Sequence, residues 1–369
     1  MKIQQESATK TANIIIDFFS NIDRIDDYFR LRKIERVKDL PVPIPGFGLE
    51  DDMFQNYDMH PEDMDIEVAQ IDNQTFNAML EKVASFSPDQ APGKELKLVV
   101  KERKTNTLLG FIKLGSPIIN SKPRNNYLGD VPELTIFNQR AIMGFIIVPV
   151  QPFGYNYLGG KLMALICTSH KVREMLNDKY DTEFCLFETT SLYGNIKGMS
   201  MYDGLKPFLR FKGDTESKFV PTLGEEAYAS CKKIIEDDIQ DEIIHKDASS
   251  RKLKITTKMI SLIKSSLKET NMELYDKFVS AITKAESVTT QKRFYMSDYG
   301  YENARDVLLG KTETLIKGPN YHKHDLENII SWWKRKASSR YDKLKSEDRI
   351  RKELEVWNAD TMNKIDIIR

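Results

Sequence analysis

A glycine-containing loop between an apolar segment and an amphipathic segment has residue types that suit the binding of an anion. The apolar run AIMGFIIVPV is followed by QPFGYNYLGGKL, in which Gly159 and Gly160 directly precede a helical pattern. The first turn of a helix has unpaired N–H groups and a positive dipole end, and residues without Cβ allow a phosphate to approach closely. Lys161 adds a positive charge, and we expect Gln151 and Asn156 to add polar contacts.

This loop matches neither common nucleotide-binding motif. The dinucleotide motif needs three spaced glycines, and the ATP-binding loop needs Gly-Lys followed by Ser or Thr, whereas Leu162 follows Lys161. The order of hairpin, strand, glycine loop, helix and strand is similar to that of the acyl-CoA site of the N-acetyltransferase superfamily. This resemblance implies acetyl-CoA or another phosphate-containing donor as the cofactor. It also implies Glu188 and Tyr193, beyond the next strand, as proton donor or acceptor.

The residues themselves leave two interpretations of these positions open. Glu188 ends the apolar segment FCLFETT, where loss of hydration raises the pKa of a carboxyl group and suits it to act as a base. Alternatively, Glu188 is an ordinary carboxylate at a strand end, and Tyr193 is a core phenol with one hydrogen bond. Gly159 and Gly160 would then only permit a tight turn from strand to helix.

The elements that must position these residues predict an α/β (α+β) fold. Residues 96–115 alternate in a way typical of a β-hairpin, and AIMGFIIVPV and FCLFETT predict buried strands. Apolar residues at helical spacing predict five helices, over residues 8–37, 162–180, 225–242, 250–268 and 325–345. The fold class is therefore an N-acetyltransferase-like mixed-sheet core followed by a mainly helical C-terminal region.

Three domains are predicted from these shifts in pattern. Residues 1–95 contain an N-terminal helix and a proline-rich, acidic linker region that packs on the core. Residues 96–225 form the α/β core, and residues 226–369 form a basic helical region. The acidic run between residues 50 and 67 is typical of a solvated surface.

Composition excludes several classes of protein. With 40% hydrophobic and 30% charged residues, the 369-residue chain is neither disordered nor fibrous. Its longest apolar stretch has about half of the roughly 20 residues that a spanning helix needs, so we expect no membrane segment and a cytoplasmic location. Three cysteines without paired spacing argue against disulfide frameworks and cysteine-type zinc sites.

The charge is zero overall but unevenly distributed. Residues 1–245 carry 29 basic and 37 acidic side chains, whereas residues 246–369 carry 26 basic and 18 acidic ones. A cationic segment attracts phosphate and releases its counterions, so the C-terminal region is a candidate nucleic-acid-binding surface. The side chains that we expect at this surface lie on two predicted helices and are Arg251, Lys252, Lys254, Trp332, Lys334, Arg335, Lys336 and Arg340.

The last of these helices separates an apolar face from a cationic one. Its apolar positions recur from Leu326 to Leu344 on one side, whereas most of its basic residues lie on the other. The cations would follow a phosphate backbone, and Trp332 would stack on an unpaired base. The alternative is a solvated surface helix whose cations pair with neighbouring carboxylates.

An ordered series of short motifs resembles the Druantia anti-phage protein DruA family. The stretch YLGGKLMALICTSHKVREMLNDKY, followed by LFETTSLYGNIKGMSMYDGLK and FLRFKGDTES, is similar to the signature region of that family from about residue 108 to residue 222. The positions that match its short motifs are Thr189, Thr190, Ser191, Ser200, Tyr202, Gly213 and Thr215. The insertion NIKGM lengthens the loop before Ser200, and the basic C-terminal third has no counterpart in the shorter members; this C-terminal extension resembles phage versions.

The resemblance implies a role in the conflict between phage and host, with other phage or defence proteins as partners, but no established reaction. Two hypotheses follow. One is a group transferase that acts on nucleic acid or on a protein amine. The other is a non-catalytic DNA- or RNA-binding component of a defence or counter-defence assembly. Enzyme status is therefore open.

Other chemistry is weakly supported by the sequence. His322 and His324 lie close together in YHKHD, but two histidines and Asp325 are too few for a metal site, so we expect none. Asp325 is instead expected to cap the following helix. No Gly-x-Ser-x-Gly motif indicates a hydrolase. Scattered carboxylates leave a nuclease as a third hypothesis, which metal-dependent cleavage of plasmid DNA would test.

Overall fold

A computed structural model describes residues 2–38, 52–86, 93–193, 198–215, 222–244, 251–287, 292–358, 360–361 and 364–365. These residues form the mixed α/β structure that the sequence predicts, with one sheet in the order β1-β2-β3-β4-β5-β7-β6. The strands are β1 Ile66–Gln70, β2 Glu95–Glu102, β3 Thr107–Gly115, β4 Ala141–Pro149, β5 Leu186–Ser191, β6 Arg210–Asp214 and β7 Arg293–Ser297. The predicted hairpin and both predicted buried strands are confirmed as β2–β3, β4 and β5.

Thirteen helices are present in the described part of the chain. They are α1 Gln5–Ser20, α2 Ile25–Lys38, α3 Asn73–Val83, α4 Lys122–Leu128, α5 Leu134–Arg140, α6 Phe153–Asn156, α7 Gly159–Cys167, α8 His170–Tyr180, α9 Glu225–Ile239, α10 Arg251–Thr270, α11 Met272–Ser287, α12 Ala304–Leu308 and α13 Leu326–Ser346. None of these helices is both long enough and apolar enough to cross a membrane.

Two predicted helices are each divided into two. The single helix predicted over residues 8–37 is wrong, because the Asp27 carboxylate accepts hydrogen bonds from the backbone N–H groups of Asp23 and Arg24 and starts a second helix. The helix predicted over residues 162–180 breaks before His170. There Ser169 Oγ accepts a hydrogen bond from the backbone N–H of Val172, as an N-cap residue does.

The two parallel strands at the centre of the sheet separate at their carboxyl ends. β4 and β5 are paired only from Ala141 to Gly144 and from Leu186 to Thr189, after which β4 continues along β3 and β5 continues along β7. Phe145 is an extra residue in β4, since the register with β3 shifts at this point. Such a β-bulge bends a strand. β4 and β5 therefore diverge beyond Gly144 and Thr189, and this divergence is here named the wedge.

The sheet is covered on both faces. α3 packs its buried residues against Phe111 and Ile146 on one face. On the other face α7 packs on β3 and β4, and α13 packs on α7. Trp333 of α13 is fully buried, and its indole N–H donates a hydrogen bond of 2.9 Å to the carbonyl oxygen of Tyr157. The buried Trp333 side chain therefore anchors the loop between β4 and α7 to α13.

A second core lies outside the sheet. It joins α1 and α2 to α9, α10 and α11, all three of which come between β6 and β7 in the chain, and it includes Trp357 from the C-terminal segment. The buried residues thus group the N-terminal helices with the inserted helices, whereas β7 and α13 pack with the sheet. The boundaries predicted at residues 95 and 225 stay predictions. The proline-rich part of the first predicted domain lies largely outside the described residues.

Candidate functional site

The glycine loop enters α7 through a turn in which Leu158 has a left-handed backbone conformation. Leu158 precedes the helix with φ +54°, a conformation that L-residues seldom adopt. A Cβ atom on Gly159 would lie 2.6 Å from the Phe153 ring, and one on Gly160 would lie 2.9 Å from Met201 Sδ. Both glycines are buried. The Phe153 ring excludes a side chain at Gly159, whereas a methyl group at Gly160 would meet only the flexible end of Met201.

The side-chain ammonium group of Lys161 is hydrogen-bonded to backbone carbonyl oxygens of this chain. Its ammonium group donates hydrogen bonds to the carbonyl oxygens of Met201 and Asp203, at 3.2 and 2.5 Å. Burial lowers the pKa of Lys161, although the charge of Asp203 opposes this shift. The segment of residues 198–204, here named the strap, therefore lies across the first turn of α7. Met201 of the strap lies against Gly160, whereas Gly159 lies against the Phe153 ring.

The strap is held by a second set of contacts at Asp203. Its carboxylate accepts hydrogen bonds from Arg293 Nη1 and the Tyr295 hydroxyl, both at 2.8 Å, and from the backbone N–H of Ser200 at 3.0 Å. Burial raises the pKa of Asp203, but these donors outweigh it and leave that pKa below its ordinary value. The charged anchor and the lysine together fix the strap over the predicted donor site.

The two polar side chains predicted to assist donor binding have structural partners. Gln151 Oε1 accepts a hydrogen bond of 3.0 Å from the backbone N–H of Tyr155. Asn156 is buried, and its side-chain amide exchanges hydrogen bonds with the backbone of Arg351, at 2.8 and 3.0 Å. Both residues therefore shape the glycine loop, and Asn156 attaches it to the C-terminal segment. Their predicted role toward a donor stays a prediction.

Glu188 lies in a buried ion pair. Arg124 Nη1 is 3.1 and 3.2 Å from its two carboxylate oxygens, and both side chains are fully buried. Burial raises the pKa of Glu188 to about 7, although Arg124 lowers it. Arg124 also donates hydrogen bonds to the carbonyl oxygens of Ile118 and Ile119 and stacks 4.1 Å from the centroid of the Phe137 ring. This is neither the ordinary strand-end carboxylate nor an exposed base.

Tyr193, the other catalytic candidate, lies in a different environment. Its ring packs at the edge of the second core, 6.5 Å from the Phe29 ring, and its hydroxyl is 3.4 Å from the Ser85 hydroxyl. The structure does not bring Tyr193 and Glu188 together with Lys161 as one open site. Sequence reasoning missed Arg124, because its separation of 64 residues from Glu188 leaves no local signal.

The predicted nucleic-acid-binding side chains differ in their contacts and in their exposure. Lys252 forms an ion pair of 2.5 Å with Glu225, and Lys334 donates a hydrogen bond to the carbonyl oxygen of Glu62. Trp332 is partly buried and packs edge-on against Phe208. The exposed residues are Lys254, Arg335 and Lys336, while the side chain of Arg251 lies outside the described part.

Arg340 belongs to an arrangement that sequence reasoning did not find. Together with Arg349 and Arg351 it surrounds the partly exposed Tyr155, and these four residues are here named the arginine cluster. The Arg351 and Arg340 guanidinium carbons lie 3.6 and 4.6 Å from the centroid of the Tyr155 ring. Arg340 Nε donates to the Tyr155 carbonyl oxygen at 2.6 Å, and Arg349 Nη2 donates to its hydroxyl at 3.4 Å.

Three arginines and two neighbouring carboxylates set the charge of this cluster. Burial raises the pKa of Tyr155, but the hydrogen bond from Arg349 and the charges of Arg351 and Arg340 leave that pKa below its ordinary value. Arg349 and Arg351 also contact carboxylates of Glu347 and Glu355, at 2.6 and 4.0 Å. The sequence signal for this cluster is the run RIRK just beyond α13, together with an aromatic residue inside the glycine loop.

The histidine pair does not form a metal site within the described residues, where no group of three or more metal-ligand side chains is present. His324 is buried, and its Nδ1 is 2.7 Å from the carbonyl oxygen of Thr168, whereas His322 is exposed. Asp325 occupies the N-cap position of α13 as predicted, but its side chain makes no capping hydrogen bond. It lies 3.5 Å from His322 Nδ1 instead.

The comparisons with known proteins agree in part with the motifs. Residues 49–200, less than half of the chain, match the family described as Druantia protein DruA. This range begins earlier and ends earlier than the motif series, so Tyr202, Gly213 and Thr215 lie beyond it. No curated protein and no solved structure matches the chain. The matched region contains β1 to β5 and the glycine loop, so its similarity covers the wedge between β4 and β5.

The motif positions lie at the wedge, in the strap and at the far edge of the sheet. The Thr189 hydroxyl donates a hydrogen bond of 3.0 Å to the carbonyl oxygen of Gly144, which is the last residue of β4 that pairs with β5. Ser200 and Tyr202 belong to the strap, and Tyr202 is buried. At the far edge of the sheet, Gly213 has φ +128° at a bulge in β6. The motifs therefore mark one half of the sheet and the strap that covers α7.

Proposed function

We propose that this chain is a DruA-like component of an anti-phage system, or of its counterpart on a phage or mobile element, and that it binds nucleic acid through the arginine cluster. The observation that carries the proposal is the gathering of Arg340, Arg349 and Arg351 on the partly exposed Tyr155. Guanidinium groups match phosphate in shape and charge. Because the Tyr155 ring holds two of them in place, less side-chain entropy is lost on binding.

The surface beside the cluster supports the same conclusion. Lys336 and Lys343 are exposed and lie four residues before and three residues after Arg340 on α13, so they share one face of the helix. The nearby carboxylates of Glu347 and Glu355 must give up their ion pairs when a phosphate binds. This exchange favours a polyanion, which replaces several such pairs at once, over a single small anion.

Salt dependence of binding tests the proposal. DNA and RNA oligonucleotides are titrated with the protein by fluorescence anisotropy at several salt concentrations. The variant K336Q/K343Q/R349Q is compared with K268Q/K277Q/K311Q, which removes three exposed cations elsewhere. The first variant is expected to flatten the slope of log K against log salt by about 1 for each phosphate that it no longer neutralises. Absence of binding by the unaltered chain, or equal slopes for both variants, contradicts the proposal.

A second candidate function, an N-acyltransferase-like group transferase, is supported by the sheet. The order of hairpin, strand, glycine loop, helix and strand, by which the sequence resembles such enzymes, corresponds to β2–β3, β4, the glycine loop, α7–α8 and β5, and β4 and β5 are parallel. Ligands also bind at the carboxyl ends of parallel strands in other α/β sheets. Nucleic-acid binding is placed before group transfer because Met201 of the strap lies against Gly160 and Lys161, where the donor phosphates would bind.

Calorimetric titration with acetyl-CoA, coenzyme A and nucleotides tests this second function. Binding at the glycine loop is expected to be lost in G160A, because the added methyl group would occupy the approach to the first turn of α7. Heat with the unaltered chain but not with G160A supports a donor site there. No heat with any of these ligands removes the transferase hypothesis.

A further inference from the structure

The helix α13 has differently charged flanks on its two sides. Residues two apart on a helix point about 200° away from each other, so Lys334 and Lys336 mark opposite sides. The flank of Lys336, here named the cationic flank, continues through Arg340 to Lys343 and adjoins the arginine cluster. Five cations lie here and two carboxylates contact them; these residues are Lys336, Arg340, Lys343, Arg349 and Arg351, with Glu347 and Glu355. The cationic flank therefore attracts a phosphate backbone.

The opposite side of α13, here named the mixed flank, is lined by the acidic segment that precedes β1. Lys334 Nζ donates a hydrogen bond of 2.8 Å to the Glu62 carbonyl oxygen, and Ser338 Oγ donates one of 3.2 Å to Glu62 Oε1. His60 Nε2 lies 3.4 Å from Asp342 Oδ1. The described carboxylates on this side are at least as numerous as the ammonium groups; they are Asp58, Glu62, Asp63 and Asp342, against Lys104, Lys334 and Lys345. The mixed flank therefore offers a phosphate backbone no excess of positive charge.

The difference between the flanks determines which form of nucleic acid suits α13. The major groove of duplex DNA is about 12 Å wide and admits an α-helix, whose two flanks then lie beside the phosphates of both strands. On α13 the cationic flank suits one such strand, whereas the exposed carboxylates of Glu62 and Asp63 would repel the other. The major groove of duplex RNA is narrow, so side chains do not read it. A single strand needs only the cationic flank and avoids this repulsion.

Two flat side chains near the cationic flank suit bases that are not paired. The Arg351 guanidinium carbon lies 3.6 Å from the centroid of the Tyr155 ring, and 50% of the Arg351 side chain is exposed. Trp332, four residues before Lys336 on α13, is partly buried and packs edge-on against Phe208. Unpaired bases stack on aromatic rings and on guanidinium groups, whereas the bases of a duplex are already paired and stacked. Both side chains therefore favour a single strand.

We propose that α13 and the arginine cluster bind single-stranded nucleic acid, DNA or RNA, in preference to a duplex. The phosphates follow the cationic flank, and unpaired bases stack on Arg351 and on the exposed part of Trp332. The mixed flank contributes to the preference by repelling a second strand. This inference rests on the proposed nucleic-acid-binding function and adds the form of nucleic acid that the surface selects.

Fluorescence anisotropy with oligonucleotides of equal length, at one salt concentration, tests the preference. Oligo-dT and oligo-U, which form no duplex alone, are compared with a DNA duplex and an RNA duplex. The unaltered chain is expected to bind at least one of the single strands about tenfold more tightly than either duplex, since one stacked base contributes about that much. The relative affinities for oligo-dT and oligo-U identify the preferred sugar.

Two variants separate the causes of the preference. E62Q/D63N removes two charges from the mixed flank but keeps an oxygen that accepts hydrogen bonds at each position. It is expected to strengthen duplex binding several-fold and to leave single-strand binding nearly unchanged. The matched control E174Q/E313Q removes two exposed carboxylates elsewhere and is expected to change neither. R351K keeps the charge but loses the planar guanidinium group, so single-strand binding is expected to weaken about fivefold at an unchanged salt slope.

Tighter or equal binding of a duplex by the unaltered chain overturns this inference. The proposed function is then still supported if K336Q/K343Q/R349Q flattens the salt slope, so the two failures are distinguishable. No binding of any oligonucleotide overturns both. Equal duplex affinities of E62Q/D63N and its control also overturn the inference, because the mixed flank then does not select against a second strand.

Discussion

The buried pair of Arg124 and Glu188 leads to a testable dependence of stability on pH. The pKa of Glu188 is about 7 in the folded chain, against an ordinary value of 4.5 for an exposed glutamate, mainly because burial disfavours the charged form. Between these two pH values the folded state binds more protons than the unfolded state. The free energy of unfolding therefore falls as the pH rises from about 4.5 to 7 and levels off above 7.

The size of this effect follows from the same values. At about 1.4 kcal/mol for each pH unit, the contribution of Glu188 to the fall is about 3 kcal/mol. In E188Q this contribution disappears, because the neutral Gln side chain resembles the protonated carboxyl group; the variant is expected to match the unaltered chain near pH 5 and to lack its fall in stability toward pH 7. In R124M the cation that lowers the pKa of Glu188 is removed, so the fall continues above pH 7.

Urea unfolding between pH 5 and pH 9, followed by tryptophan fluorescence, measures these differences. Trp333 lies in the sheet core and Trp357 in the helical core, so circular dichroism is recorded in parallel to detect separate transitions. E327Q removes an exposed carboxylate and serves as the control. If the unaltered chain and E188Q lose stability in parallel between pH 5 and pH 7, Glu188 is not preferentially protonated in the folded state and the reasoning fails.

Three further predictions concern packing and are checked by chemical unfolding. G159A is expected to lose about 1–3 kcal/mol, because the added methyl group overlaps the rigid Phe153 ring. G160A is expected to stay within about 1 kcal/mol of the unaltered chain, since the methyl group meets only the flexible end of Met201; equal losses in both variants would contradict this contrast. W333F is expected to lose about 2–4 kcal/mol through a buried hydrogen bond and a cavity, and a loss below about 1 kcal/mol would show that the site repacks.

Most elements of the central half-sheet were predictable because their patterns are local. The hairpin alternates apolar and polar residues around a turn at Asn106, and β4 is a continuous run of branched and aromatic residues. β6 and β7 were missed, because each has only five residues and their pairing partners are separated by the inserted helices. The order β5-β7-β6 depends on contacts between segments far apart in the chain, which no local pattern encodes.

The break between α1 and α2 shows a different limit of sequence interpretation. Apolar residues continue at helical spacing through Ile22 and Ile25, so the periodicity gives no sign of an interruption. What ends the first helix is the competition of short polar side chains for backbone groups, at Asn21 and again at Asp27. Helix periodicity identified the buried faces correctly but not the point where the axis changes direction.

The candidate sites were predictable only where one segment supplies all the residues. The glycine loop was located from its own sequence, but the strap that covers it comes from 40 residues further along. Likewise, Arg340 was selected as a basic residue on a helix, whereas its partner Tyr155 lies 185 residues earlier. A side chain's type is read directly from the sequence, while its exposure and its partners depend on the fold.

The excess of positive charge in the C-terminal third shows why the partners of a cation, and not only its type, determine how much it contributes to phosphate binding. Lys252 and Lys334 contribute to that excess, but one is paired with a carboxylate and the other with a carbonyl oxygen, so a phosphate would gain from either only by breaking an existing contact. Lys336 is exposed, and no ion pair or hydrogen bond of its side chain to the described residues has to be broken before it contacts a phosphate. Counterion release depends on the cations that a polyanion can reach, and for this reason the salt slope of binding, rather than net charge, decides between the proposed surface and an ordinary solvated helix.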